Sequence, residues 1–247
     1  MSVDETASAC SEQDKVLERI EKWRAQRAEL AEQGKGPVRP AGEVTTLFQV
    51  IPAYSLARRA LRDPWCLSGE EKQKIYVPHG STHFHYNADG YICSAQDGDQ
   101  TEAYAYTQLF RSGIAEYANS HCYAPTPAGR TMILGQEIEK ETVLCYQDAI
   151  NRLRRQGTTG AIYIGLSLIG IADKSIFSTV ARSALSRAVF TCNIFNSPEV
   201  LINLEDQEEL PYSGALLPLF NCMWQLCGLE ESPFKSNVGW EPFRTRY

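Results

Sequence analysis

Residues 136–172 read QEIEKETVLCYQDAINRLRRQGTTGAIYIGLSLIGIA, and this stretch decides the fold class. Ile138, Thr142, Cys145, Ala149 and Leu153 fall three or four apart. Glu137, Glu139, Lys140, Glu141, Gln147, Asp148, Arg152 and Arg155 take most other positions, the pattern of a helix with one apolar stripe. Glutamates crowd its first turns and Arg152, Arg154 and Arg155 its last, so both ends complement the backbone dipole. Gly157 offers a left-handed stop. From Gly160 the period changes to two, with Ile162, Ile164, Leu166 and Leu168 on one side of a strand. Ala161, Tyr163, Gly165, Ser167 and Ile169 take the other side. The branched side is expected to face a core, and the small side to let another element pack close.

The full chain of 247 residues is long enough for one large domain, or one domain with appendages. Hydrophobic residues at 43% and charged residues at 22% are ordinary globular values, too apolar for general disorder. No run approaches the ~20 apolar residues of a membrane span, and residues 1–10 lack the basic and apolar regions of a signal peptide. A cytoplasmic protein is expected. The net charge of -6 argues against a broad electrostatic footprint for nucleic acid, though not against a local basic patch. The eight cysteines include no CxxC pair, so they read as reduced, buried thiols rather than a zinc ribbon or a redox motif.

Outward from the central unit, residues 12–33 predict a helix. Val16, Leu17, Ile20, Trp23, Ala28, Leu30 and Ala31 make it partly apolar, and two glycines and a proline end it at 34–37. Residues 44–51 predict a strand apolar on both faces and so interior to a sheet, followed by a short helical piece over 54–61. Between residues 75 and 119 the pattern is a β-meander, with turns at Asn87-Ala88-Asp89-Gly90 and Asp97-Gly98-Asp99. Tyr104, Tyr106, Gln108 and Phe110 share one strand face, and Gly113 marks a bend. Two prolines and a glycine within residues 123–129 predict a loop. Residues 175–187 read as a short helix or an irregular excursion, 188–195 and 199–204 as strands, and 213–227 as a helix apolar nearly all round, ended by Gly228.

Several of these segments together resemble the region C-terminal to the Schlafen-like, Alba-type DNA-binding domain of bacterial proteins. They are Trp23 to Arg27 before a Gly-Pro stop, Phe48-Gln49-Val50-Ile51-Pro52, Asn87-Ala88-Asp89-Gly90-Tyr91 and the run from Tyr106 to Glu116. Leu166-Ser167-Leu168-Ile169-Gly170, and Leu216 to Trp224 with Gly228 after it, complete a similarity from about residue 20 onward. The Alba-type domain itself has no counterpart here, so its nucleic-acid function transfers to no residue of this chain. The resemblance implies a non-catalytic companion region working with a separately encoded partner, in a bacterial regulatory or antiviral system.

Candidate chemistry is sparse. Three of the four histidines lie in His79-Gly80-Ser81-Thr82-His83-Phe84-His85, where His83 and His85 would share a strand face, but a metal needs a third converging ligand. Arg58, Arg59 and Arg62 form one candidate anion patch, and Arg152, Arg154 and Arg155 another that also fits a solvated helix end. Tyr104, Tyr106 and Phe110 could stack bases, or simply fill a core. Nucleotide, hydrolase and metalloprotease motifs are all missing from the sequence.

The sequence therefore predicts an α+β fold. A mainly antiparallel sheet spans residues 41–247 as one domain with helices packed on one face, and residues 1–40 form an N-terminal helical arm. The expected function is a non-enzymatic binding or scaffolding subunit of a bacterial multi-protein complex, with no cofactor and no metal. The alternatives are a nucleic-acid-binding protein in its own right and a metal-dependent hydrolase. Ile20 and Trp23, apolar beside charges on the arm, are the expected interface to a protein partner or to a second copy.

Overall fold

A computed structural model of the chain describes residues 3–56, 67–81, 83–96, 102–126, 129, 131–177, 189–205 and 212–234. The chain begins with α1 (Val3–Glu32), β1 (Arg39–Pro40), β2 (Thr45–Pro52), a 3-10 turn (Ala53–Leu56) and α2 (Gly69–Gln73). The meander follows as β3 (His83–Tyr86), β4 (Gly90–Ala95), β5 (Glu102–Ala103), β6 (Ala105–Phe110) and β7 (Ala115–Asn119). After β8 (Tyr123–Pro125) and β9 (Thr131–Leu134) come α3 (Gly135–Arg155) and β10 (Ala161–Ile169), the predicted helix-to-strand unit. The chain continues through β11 (Ser175–Phe177), β12 (Ile194–Asn196), β13 (Val200–Asn203) and α4 (Tyr212–Gln225). No described helix is long and apolar enough to cross a membrane.

The fold is α+β, built on an eight-stranded sheet in the order β12-β10-β2-β7-β6-β4-β3, with β13 also on β10. Every pairing in this sheet is antiparallel. From β3 to β7 the sheet is the expected meander, its first turn held by the Asn87 carboxamide oxygen accepting from the Asp89 and Gly90 N–H groups. β2 closes between β7 and β10 with all eight residues buried, as a strand apolar on both faces demands.

Period-two alternation divides the core in two. Phe48 and Val50 of β2, with Ile162, Ile164, Leu166 and Leu168 of β10, pack into the large cluster containing the α3 stripe and the apolar face of α4. Ile138, Cys145, Ala149 and Leu153 of that stripe are at most 2% exposed. The alternate residues Leu47, Ile51, Tyr163 and Ile169 point to the opposite face and pack on α1 through Ile20, Ala28 and Ala31. α3 and α4 thus share one face, while the expected arm is a third layer on the other.

What packs on the small side of β10 is Arg24. A Cβ on Gly165 would lie 2.2 Å from its Cζ. The guanidinium is held by the Gln49 Oε1 at 3.2 Å, the Ser197 carbonyl at 2.8 Å, the Leu166 carbonyl at 3.1 Å and the Glu199 carboxylate. It fills the gap where the edge strand breaks between β12 and β13 at Pro198.

Three features depart from the sequence reading. Residues 123–125 are strand rather than loop, because β8 pairs antiparallel with β9, and β11 adds to β9 in parallel. Pro125 is tolerated at the outer end of so short a strand. The predicted strands over 188–195 and 199–204 shorten to β12 and β13. The helical piece over 54–61 is a 3-10 turn through Leu56, and its remainder, like residues 178–188, lies outside the described residues.

Because Arg24 is fixed by four partners, it cannot yield to an added methyl group at Gly165. Gly165→Ala should lower unfolding free energy by about 1–3 kcal/mol in urea titration, although alanine suits a strand at least as well as glycine.

Candidate interaction edge

Between α1 and the sheet lies a polar network that the helix sequence did not announce. Arg27 makes a two-pronged pair with Glu116 of β7, Nε to Oε2 at 3.0 Å and Nη2 to Oε1 at 2.6 Å. Glu116 also accepts from Gln49 Nε2 at 2.9 Å and from the Tyr106 hydroxyl at 2.9 Å, and it has no exposed surface. Arg24 joins through Gln49, so both arginines and both carboxylates, Glu116 and Glu199, are compensated. Burial pulls the Arg24 guanidinium below its ordinary value, and Glu199 offsets part of this. Burial works against the Arg27 charge too, but Glu116 outweighs it and holds that guanidinium above its ordinary value.

These contacts bear on the two residues expected to form a partner interface. Ile20 is wholly buried against Ile51, Phe110, Ile114 and Tyr163 of the chain's own sheet, so it is core and not surface. Trp23 is half-buried, its ring edge-on to Phe110 at 5.5 Å, with the Arg27 guanidinium 5.2 Å from the Phe110 ring. The apolar pair the sequence suggested is what fastens α1 to the sheet.

Other candidates scatter. Arg58, Arg59 and Arg62 lie outside the described residues. Arg154 and Arg155 are exposed at the end of α3, whereas Arg152 is buried, its Nε on Asp148 at 2.9 Å and its Nη2 on the Lys74 carbonyl at 2.5 Å. That separation dissolves the second anion patch. Tyr106 and Phe110 are buried under α1, which removes them as stacking platforms. Among the described residues no group of three or more His, Cys, Asp or Glu is placed to hold a metal. His79 instead packs edge-on against His121 at 4.9 Å, and Tyr104 lies 4.5 Å from the same ring. Cys93, Cys122, Cys145, Cys192, Cys222 and Cys227 form no disulfide, and burial pushes the Cys93 and Cys122 thiols up to about 12, far from reactivity at neutral pH.

A cleft of about 580 Å³ opens where α1 ends, lined in part by Glu32, Arg39, Glu43 and Asn193. Its polar groups are tied to one another or to neighbours: Asn193 Nδ2 donates to Glu32 at 2.5 Å, Thr131 to Glu43 at 2.9 Å, and Arg39 pairs with Glu102 at 3.2 Å. They do not converge on one point where a ligand would sit.

The histidine segment proves informative for a different reason. β3 is the last strand of the sheet, and all four of its residues are exposed. Its register with β4 sets His83 and His85 opposite Ser94 and Ile92, and Phe84 and Tyr86 opposite Cys93 and Tyr91. Two histidines therefore line one face and two aromatic rings the other. Phe84 at 57% and Tyr86 at 52% exposure are open rings, and Lys72 stands 5.1 Å from the Tyr86 ring. The signal in the sequence was position: the first strand of a meander is an edge unless something later covers it.

Replacing Ile20 by alanine should cost about 2–5 kcal/mol of stability by denaturant unfolding, as for other fully buried isoleucines. Trp23→Ala should cost less than a full core truncation and leave the oligomeric state seen by light scattering unchanged.

No family model, curated protein or solved structure matches this chain, so the likeness to the Schlafen-associated region gains no support from these comparisons.

Proposed function

We propose that the protein is a binding or scaffolding subunit that receives an extended segment of a partner protein along β3. The carrying observation is the contrast between the two edges of its sheet. At the β10 side the border is split into two short strands around Pro198, and Arg24 occupies the Ser197 and Leu166 carbonyls. Those are the means by which proteins discourage unwanted strand pairing. β3 is no longer than β13, but it is a single unbroken strand: His-Phe-His-Tyr contains no proline or lysine, and all four of its residues are exposed.

An added strand would gain main-chain hydrogen bonds from β3 and side-chain contacts from alternate positions. Phe84 and Tyr86 offer aromatic surface on one face, with the Tyr86 ring backed by Tyr91 at 4.8 Å. The favoured partner segment is therefore extended and apolar at every second residue. Such an interface needs no catalytic group, in keeping with a companion subunit.

A photo-crosslinking amino acid at Phe84 should give one reproducible adduct in the source cells. The adduct should disappear with Tyr86→Lys and be absent when the same probe stands at Tyr54, another exposed ring. Equal capture from both positions, or none from Phe84, would remove the basis for this function.

A further inference from the structure

Glu139 of α3 has no exposed surface, yet only one of its oxygens is bonded. Oε1 accepts from the Trp224 indole Nε1 at 2.5 Å and from the Ser232 hydroxyl at 2.7 Å, while Oε2 has no partner. Trp224 belongs to α4, and Ser232 to the turn that follows it. That turn is itself tied back, with Ser232 N donating to Asn221 Oδ1 at 2.9 Å and Phe234 N to Ser232 Oγ at 3.2 Å. A single carboxyl oxygen thus fastens α4 and its closing turn to α3.

The packing around it is tight, and among the described residues no cation is paired with it. A Cβ on Gly135 would lie 2.4 Å from the Trp224 ring, so the indole rests directly on the first turn of α3. The ionisable side chains of the described α4 segment and its turn, residues 212–234, are Tyr212, Cys222, Cys227, Glu230 and Glu231, with no lysine, arginine or histidine. β11, which also packs on α3, carries no ionisable side chain. On α3 itself Lys140 pairs with Glu137 at 3.5 Å, and Glu141 accepts from the Tyr76 hydroxyl at 2.5 Å.

We propose that Glu139 is a proton-operated latch: protonated, it holds α4 and the following turn on α3, and deprotonated, it weakens their hold. A neutral carboxyl at this site leaves one O–H unpaired, whereas a carboxylate leaves a buried charge with no counterion among the described residues, which costs far more. Burial pushes the carboxyl up from 4.5 to about 7, against the opposing pull of the Trp224 and Ser232 hydrogen bonds. Once α4 lifts and water enters, the group returns toward its ordinary 4.5. The closed form therefore binds more protons than the open one between those values, and closure weakens as pH rises through that window. The opening equilibrium should rise by about two orders of magnitude across it and level off above about pH 7. Opening would uncover Leu216, Phe220, Met223 and Trp224, all at most 1% exposed in the closed state.

The test uses the full chain and the indole N–H itself. In 15N-tryptophan NMR, the Trp224 Nε1–H signal, assigned with Trp224→Phe, should titrate with a midpoint near pH 7. Glu139→Gln should abolish that titration. Hydrogen exchange of α4, corrected for intrinsic rates, should show about a hundredfold more opening at about pH 8 than at about pH 5 in the wild type, and little change in Glu139→Gln. Ser232→Ala, which removes a donor favouring the charge, should move the midpoint upward and so tests the latch even if Glu139→Gln fails to fold. A Trp224 signal flat across neutral pH, a titration that survives Glu139→Gln, or a midpoint that Ser232→Ala leaves in place would overturn the proposal.

Discussion

The bidentate pair between Arg27 and Glu116 is the constraint on which the arrangement of layers depends. Glu116 sits mid-sheet with no exposed surface, and a carboxylate there is tolerable only if its oxygens are filled by donors. Arg27, Gln49 and Tyr106 supply them, and only α1 carries the cation. Apolar contacts through Ile20, Ala28 and Ala31 give α1 its adhesion, but apolar packing alone would let the helix slide. The fork at Arg27, and Arg24 four partners deep beneath it, set its register over β2, β7 and β10. Glycine at position 165 makes room for this, so the close-packing side of β10 and the arginines of α1 are two halves of one feature.

Period and punctuation made much of the fold legible. The α3 stripe, the two faces of β10, the interior β2 and the meander with its Asn87 turn all follow from spacings of three and four or of two. The layer position of α1 was hidden because Arg24 and Arg27 occupy stripe positions beside Ile20, Ala28 and Ala31, and arginines there read as solvent-facing. Gly165 implied a close neighbour without naming it. Arg152 was hidden likewise, since an arginine in the last turn of a helix is ordinarily solvated, yet this one reaches the Lys74 carbonyl. β8, β9 and β11 are three or four residues each and exist through pairing, with too few residues for any period to show.

Of the candidate site, the histidine segment was visible but its meaning was not. Two histidines alternating with two aromatics suggest a metal when only residue type is considered. The topology assigns them to an outer strand, where alternation instead gives two different exposed faces. The Glu139 contact, by contrast, depends on chain segments far apart in sequence, Glu139 and Trp224 being 85 residues apart. Nothing local around Glu139 or Trp224 marks that encounter. Among the described residues, β2 and β10 are covered on both faces, whereas β3, last in the strand order, has all its residues exposed.

The account is tested most directly by a double-mutant cycle on Arg27 and Glu116, each replaced by alanine singly and together, with stability measured by urea unfolding. A buried, charge-assisted pair that sets the seat of α1 predicts a coupling of about 1.5–3 kcal/mol, with each single variant nearly as damaging as the double. Additive losses, with coupling below about 0.5 kcal/mol, would mean that α1 is held by apolar contact alone and would contradict the central role given to this pair.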